Sequence, residues 1–142
     1  MAENNEKKDK KIRVLIVDDE ENARYILNLK LTMKKGFIVD EAENGKVALE
    51  KVAQNKPDII LLDVMMPVMD GYECCKRLKE NPETEDIPII FLTAKTRTTD
   101  IIQGIRVGVD DYIMKPYEFD DLYNRIMKML ESSRTIKRRI TD

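Results

Sequence analysis

Five short runs rich in Val, Ile and Leu punctuate the chain, and longer stretches of helical period separate them. This alternation constrains the fold more than any other feature. The runs are Ile12–Val17, Phe37–Ala42, Asp58–Leu62, Ile87–Leu92 and Tyr112–Met114. The first, third and fourth are almost continuously apolar, the pattern of strands buried on both faces of a parallel sheet. Phe37–Ala42 is weaker and partly alternating, and Pro88 sits near the start of the fourth run.

Helices are expected between the runs. Glu21–Met33 places Ile26, Leu27, Leu29, Lys30 and Met33 around an amphipathic helix. Asn44 is a good N-cap for a helix to about Gln54. Asp70–Glu80 continues from Gly71 and stops before Asn81-Pro82. From about Arg97 to Val107, Ile101, Ile102, Ile105 and Val107 share one side, with Gly108 as the stop. The last helix starts near Glu118 and carries Leu122, Ile126, Met129 and Leu130. Strands and helices in this order predict an α/β three-layer sandwich. Its core is a five-stranded parallel sheet with five helices in alternating (βα)5 order, doubly wound with right-handed crossovers. At 142 residues the chain has room for one domain, expected over 12–130. A polar, disordered leader (1–11) precedes it, and a helical extension or linker (131–142) follows.

In such a sheet, sites form beyond the carboxyl ends of the strands. The first strand is followed by Asp18, Asp19 and Glu20, the third by Asp63, the fourth by Thr93 and Ala94, and the fifth by Lys115-Pro116. Folding would gather three aspartates, a hydroxyl and a lysine at one edge. Like charges at close range repel and raise one another's pKa, and a divalent cation removes that cost. Oxygen-only ligands suit Mg²⁺, which keeps waters and recruits phosphate oxygens. A carboxylate nucleophile, Mg²⁺ and a lysine make a phosphoryl-transfer site, because that chemistry needs mainly positioning and charge neutralisation.

Composition removes the competing chemistries. There is no histidine, so a Ser-His-Asp triad, a Cys-His pair, a histidine base and histidine metal ligands are all excluded. The two cysteines, Cys74 and Cys75, are adjacent, and they read as small helix residues in a reducing cytoplasm. No apolar run approaches the ~18 residues of a membrane span, and the first eleven residues lack a signal-peptide core. The formal net charge is −2, with +1 in residues 1–11 and +2 in residues 131–142. The remainder is mildly acidic, with no basic face for nucleic acid.

Four segments resemble the receiver domain of bacterial two-component response regulators. They are Val14–Glu20 (VLIVDDE), Asp58–Gly71 (DIILLDVMMPVMDG), Ile87–Ala94 (IPIIFLTA) and Gly108–Pro116 (GVDDYIMKP), and the likeness covers about residues 12–130. Each alone is modest evidence; together, in order and after predicted strands, they are specific. The resemblance implies a chemotaxis-regulator-like fold and a phosphoprotein that takes a phosphoryl group onto Asp63. It implies that Asp18 and Asp19 hold Mg²⁺ together with Asp63 and the backbone carbonyl of Met65. Lys115 would pair with the phosphoryl group, through a Lys-Pro bond that is cis in the family. Thr93 would hydrogen-bond the phosphoryl group, with Ala94 leaving room beside it. Tyr112 would be the rotameric reporter that swings inward when Thr93 moves, and Lys95 lies where the lifetime of the phosphoryl group is tuned.

Each residue also has a plainer reading. Asp18, Asp19, Glu20 and Glu21 would favour the positive end of the first helix in any case. Asp63 could merely end a strand, Lys115 could be a surface lysine, and Tyr112 could be a packed aromatic. Leu122, Ile126, Met129, Ser133, Ile136 and Ile140 follow an a/d rhythm. That suits a signalling helix leading to an output domain, or else a sheet-facing helix with a basic tail.

The resemblance further implies a partner. The family takes its phosphoryl group from a phosphohistidine, so a sensor histidine kinase or a histidine phosphotransfer protein must supply the histidine this chain lacks. The protein would act by switching the face made by the fourth helix, fifth strand and fifth helix. That face would pair two phosphorylated copies, with Asp111 meeting Arg125 of a second chain. It would be no enzyme beyond its own phosphorylation and dephosphorylation, and it would be either a stand-alone receiver or the front of a longer protein. A Mg²⁺-dependent aspartyl phosphatase is the alternative, but it wants a second acid where Met65 stands. A receiver-like interaction module that is never phosphorylated would not need the full acid-lysine set. A flavin-binding domain would put a phosphate where Asp18-Asp19-Glu20 would repel it.

Overall fold

The computed structural model describes the backbone of residues 11–94 and 97–141, and the side chains of these up to residue 133. Five strands and five helices alternate: β1 (Ile12–Val17), α1 (Glu21–Thr32), β2 (Phe37–Ala42), α2 (Gly45–Gln54), β3 (Ile59–Leu62), α3 (Gly71–Glu80), β4 (Ile89–Thr93), α4 (Thr98–Val107), β5 (Asp111–Met114) and α5 (Phe119–Thr141). The strands form one parallel sheet in the order β2-β1-β3-β4-β5. The three-layer, doubly wound expectation holds. The order changes direction at β1 and β3, so the residues leaving these two strands are neighbours at the carboxyl edge.

The sheet is buried on both faces because successive side chains point opposite ways. Val14, Ile16, Ile59, Leu61, Ile90, Leu92 and Ile113 pack under α1 and α5, against Leu27, Leu31, Leu122, Ile126 and Leu130. Leu15, Val17, Ile60, Leu62, Ile89 and Phe91 pack on the other face against α2, α3 and α4. The weaker, alternating β2 is an edge strand, which needs only one buried face.

Local chemistry starts and stops the helices. Asn44 Oδ1 accepts from the Val47 amide at 2.9 Å, and Asp70 Oδ1 accepts from the Glu73 amide at 2.9 Å, each satisfying a donor that the first helical turn leaves free. Gly108 ends α4 at φ 86°, a left-handed cap that glycine adopts at least cost.

Two helices turn differently from their apolar pattern. In α1, Leu27 and Leu31 are buried, whereas Ile26, Leu29 and Met33 are exposed. In α4, Ile101, Ile102 and Ile105 are exposed and only Gly104 is buried. Gly104 lets α4 approach Phe91 closely, since a β-carbon there would stand 3.4 Å from the ring. Other boundaries move by a residue or two: β3 starts at Ile59, β4 runs Ile89–Thr93 after Pro88, and β5 begins at Asp111. Cys74 and Cys75 are buried free thiols, and burial pushes both up to about 12. No described helix is long and apolar enough to cross a membrane.

In the loop after β3, Val68 has φ 69°, a left-handed conformation that costs an L-residue roughly 1–2 kcal/mol and suits a β-branched one least. It is 77% exposed, so little packing is at stake. Asn tolerates this conformation. Val68→Asn is expected to stabilise the fold by about 1 kcal/mol, read from the midpoint of urea unfolding.

Candidate functional site

The parallel register carries four charged residues to one edge. Asp18 leaves β1 with its amide on the Ala42 carbonyl at 3.1 Å, and Asp63 leaves β3 with its amide on the Val17 carbonyl at 2.9 Å. The sheet ladder thus extends one residue past each strand and brings the two carboxylates side by side. Lys115 follows β5, its amide donating to the Thr93 carbonyl at 3.0 Å, and the Lys115–Pro116 peptide is cis. The Lys115 ammonium reaches between the acids, 3.0 Å from Asp18 Oδ2 and 3.4 Å from Asp63 Oδ2.

Asp19 completes the cluster. Each of Asp18, Asp19 and Asp63 offers a carboxylate oxygen, and these atoms lie within 4.8 Å of one another. Three hard oxygen donors at this spacing, with Asp18 buried and Asp63 nearly so, suit a divalent cation, and no softer ligand intrudes among the described residues. The donor set therefore fits Mg²⁺ better than a thiophilic metal.

Burial is the largest influence on the Asp63 carboxyl. Loss of solvent pushes its carboxyl above the usual carboxylate range. Lys115 opposes this, Asp18 adds to it, and the Met65 amide, 3.4 Å from Oδ1, pulls weakly the other way. For Lys115, burial works against the charge, but the Asp18 hydrogen bond and the charges of Asp63 and Asp18 outweigh it. Its pKa lies above its ordinary value.

Tight backbone packing supports the site from below. The Gly71 amide donates to the Val64 carbonyl at 2.9 Å, and a β-carbon on Gly71 would stand 2.3 Å from the Asp63 carbonyl oxygen. Only glycine lets α3 start this close to the acid.

Thr93 closes β4 next to β3 at the same edge and is fully buried. Met65 lies two residues past Asp63 and is exposed. Tyr112 is turned inward: its ring meets Phe91 edge-on at 6.1 Å, and its buried hydroxyl has no hydrogen-bond partner among the described residues. Burial, then the neighbouring Tyr72 and Asp100, pushes that hydroxyl up to about 12. Asp18, Asp19, Asp63 and Lys115 are thus gathered, and Tyr112 packs apart from them on Phe91. Lys95, and the side chains of Ile136 and Ile140, lie outside the described residues. Asp111 and Arg125, expected to meet across two chains, are paired within this one at 3.1 Å. Sequence reasoning missed Arg24, whose guanidinium donates to the Asp18 carbonyl; one arginine among 25 basic residues carries no signal of that contact.

The raised Asp63 carboxyl has a stability consequence. Its proton is held more tightly in the folded than in the unfolded chain, so ionising it disfavours folding. The penalty is absent below the unfolded carboxyl's pKa and complete above the folded one. Asp63→Asn is therefore expected to be more stable than the parent at pH 7 in EDTA, with the gap closing as the pH falls below 4. Urea unfolding at the two pH values checks it.

A family model described as the response regulator receiver domain matches residues 14–127. The chain is similar to response regulator ArlR of Staphylococcus saprophyticus, at 42% identity over 118 residues, covering 83% of this chain and 52% of that protein. It spans about half the length of the curated relatives it matches. Among solved structures it is similar to a putative response regulator from Chloroflexus aurantiacus, with a TM-score of 0.80 and 37% identity over 86% of this chain and 99% of that one. It is also similar to chemotaxis protein CheY4 of Vibrio cholerae, with a TM-score of 0.79 and 30% identity over 84% of this chain and 98% of that one.

Proposed function

The chain belongs to the response regulator receiver domain family of two-component systems, and we propose that it takes a phosphoryl group from a phosphohistidine onto Asp63. The observation that carries this reading is the position of Asp63, nearly buried, beside Asp18 and within reach of the Lys115 ammonium.

Asp18, Asp19 and Asp63 are the side chains that would hold Mg²⁺, with the Met65 carbonyl as a backbone ligand. When bound, Mg²⁺ offsets negative charge on the phosphoryl oxygens. Asp63 supplies the nucleophilic oxygen and becomes an acyl phosphate, while the donor's histidine nitrogen leaves with the electron pair of the broken P–N bond. Lys115, already beside Asp63, exchanges part of its carboxylate pairing for the incoming phosphoryl oxygens. The acyl phosphate adds about −1.5 to −2 charges by analogy with phosphoserine. Thr93, at the neighbouring strand end, supplies a hydroxyl to that group.

The output follows as a population shift. Tyr112 packs on Phe91, and α4 touches the core through Gly104 while exposing three isoleucines. A small gain at the site can therefore bias the seating of α4, β5 and α5 without a new fold. We assign residues 12–130 to the receiver unit. A sensor histidine kinase or phosphotransfer protein is its donor, and a second phosphorylated copy its partner on the α4-β5-α5 face. In that pairing Arg125 of each chain leaves its own Asp111 for the other's.

Incubation with Mg²⁺ and acetyl phosphate is expected to add one phosphoryl group, seen by intact mass, and Asp63→Asn should gain none. An equal mass gain in parent and variant, or none in either, would overturn the reading. Lys115→Met is expected to slow phosphorylation roughly 10²-fold, the scale of losing one charge-stabilising group. Sedimentation with Mg²⁺ and beryllofluoride is expected to show a dimer, and an unchanged monomer would remove the pairing proposal.

A further inference from the structure

The main chain of Asp18 is held by a polar chain to which phosphoryl transfer assigns no part. Arg24, early in α1, donates from Nη1 to the Asp18 carbonyl oxygen at 2.5 Å. Its Nε meets Glu41 Oε1, on β2, at 3.1 Å. The other Glu41 oxygen accepts from Asn28 Nδ2, one helical turn further along α1, at 2.8 Å, and the Glu41 main-chain carbonyl accepts from Lys51 Nζ. The Arg24 side chain is only 14% exposed, so it is no solvated surface charge.

The next residue of β2 grips the other end of Asp18. The Ala42 carbonyl accepts the Asp18 amide at 3.1 Å. The edge strand thus holds Asp18 twice, directly at its amide and through the Glu41–Arg24 pair at its carbonyl. Both carboxylate oxygens are also engaged, Oδ1 by the Glu20 amide at 2.9 Å and Oδ2 by Lys115. The corner from which Asp18 and Asp19 project is fixed at every polar atom of Asp18.

We infer that Arg24, seated by Glu41, is a positioning residue that sets the affinity of the Asp18–Asp19–Asp63 cluster for a divalent cation. The inference rests on the metal-dependent reading above. Its sign is distinctive. A positive charge near an acidic cluster should weaken cation binding, so removing Arg24 should tighten it if charge alone matters. Arg24 instead directs its charge to Glu41 through Nε and one Nη1 donor to the Asp18 carbonyl. Removing it leaves that carbonyl unpaired and the corner loose, and cation binding weakens.

The test is calorimetric titration of the unphosphorylated chain with Mg²⁺, beside thermal unfolding in EDTA. Arg24→Met is expected to raise the Mg²⁺ Kd about tenfold, the lower end of the range for groups that orient metal ligands. Arg24→Lys, which keeps the charge but lacks the planar fork that serves both oxygens from fixed positions, is expected to fall between, and it carries the comparison if Met impairs folding. Adding Glu41→Gln to Arg24→Met should change the Kd little further, because the pair acts as a unit. Tighter or unchanged Mg²⁺ binding by the Arg24 variants, with or without a lower unfolding temperature, overturns the inference. Fully additive effects overturn the seating by Glu41. A parent chain that takes up no Mg²⁺ overturns the metal reading and this inference with it.

Discussion

The structure depends on one electrostatic arrangement: a lysine ammonium held between two carboxylates that the sheet cannot keep apart. Asp18 and Asp63 leave adjacent parallel strands, so their proximity follows from topology. Lys115 comes 52 residues after Asp63 and 97 after Asp18 in sequence, yet reaches both. Loss of solvent outweighs its attraction at Asp63, which stays above the usual carboxylate range. Three carboxylates face this one ammonium, so the edge remains short of positive charge even with the lysine in place. The third acid, Asp19, adds to their repulsion, against which the favourable field at the start of α1 offers roughly 0.3–1 kcal/mol.

Much of this was legible before any coordinates. The apolar runs read as strands because both faces are buried, and the residues that follow them read as a site because parallel strands share a carboxyl edge. Asp18, Asp19, Asp63 and Lys115 meet for that reason alone. The faces of α1 and α4 were not legible, because each helix carries more apolar residues than the sheet can cover. In α1 the pattern offers Ile26, Leu27, Leu29 and Met33, and only contact with β1 and β2 selects Leu27 and Leu31. In α4, Gly104 makes the contact and the isoleucines are left outside.

Polar pairing across elements leaves even less trace. Nothing periodic links Arg24 to Glu41, and the pair becomes visible only when α1 is laid on β2. Asp111 and Arg125 show a related ambiguity. Their charges suggest a bond, but sequence is silent on whether one chain or two would make it, and here one chain does. If a second copy docks on this surface as proposed, the intramolecular pair makes that docking an exchange of like for like. Such an exchange contributes little net affinity, because an exposed ion pair is worth about 0–1 kcal/mol in either place. Affinity would then have to come from the apolar surface beside it, where Ile101, Ile105 and Met114 are exposed.

In the proposed switch, Tyr112 is the side chain through which a small chemical event would move such a surface. Its ring is in a favourable seat against Phe91, which itself meets Tyr72 edge-on at 5.6 Å. Edge-to-face pairs contribute roughly 0.5–1.5 kcal/mol beyond burial. Its hydroxyl is buried without a partner among the described residues, and an unmet buried polar group costs about 1–3 kcal/mol. The unmet hydroxyl offsets the edge-to-face term, though not the burial of the ring itself. The proposed switch would need only a differential free energy comparable to the gap between two seats of Tyr112. Tyr72 donates to the Asp100 carbonyl at 3.3 Å, in the first turn of α4. The aromatic chain that seats Tyr112 therefore ends on α4, whose one buried residue among those described is Gly104, and in the proposed switch a change in that seat would be passed to this helix.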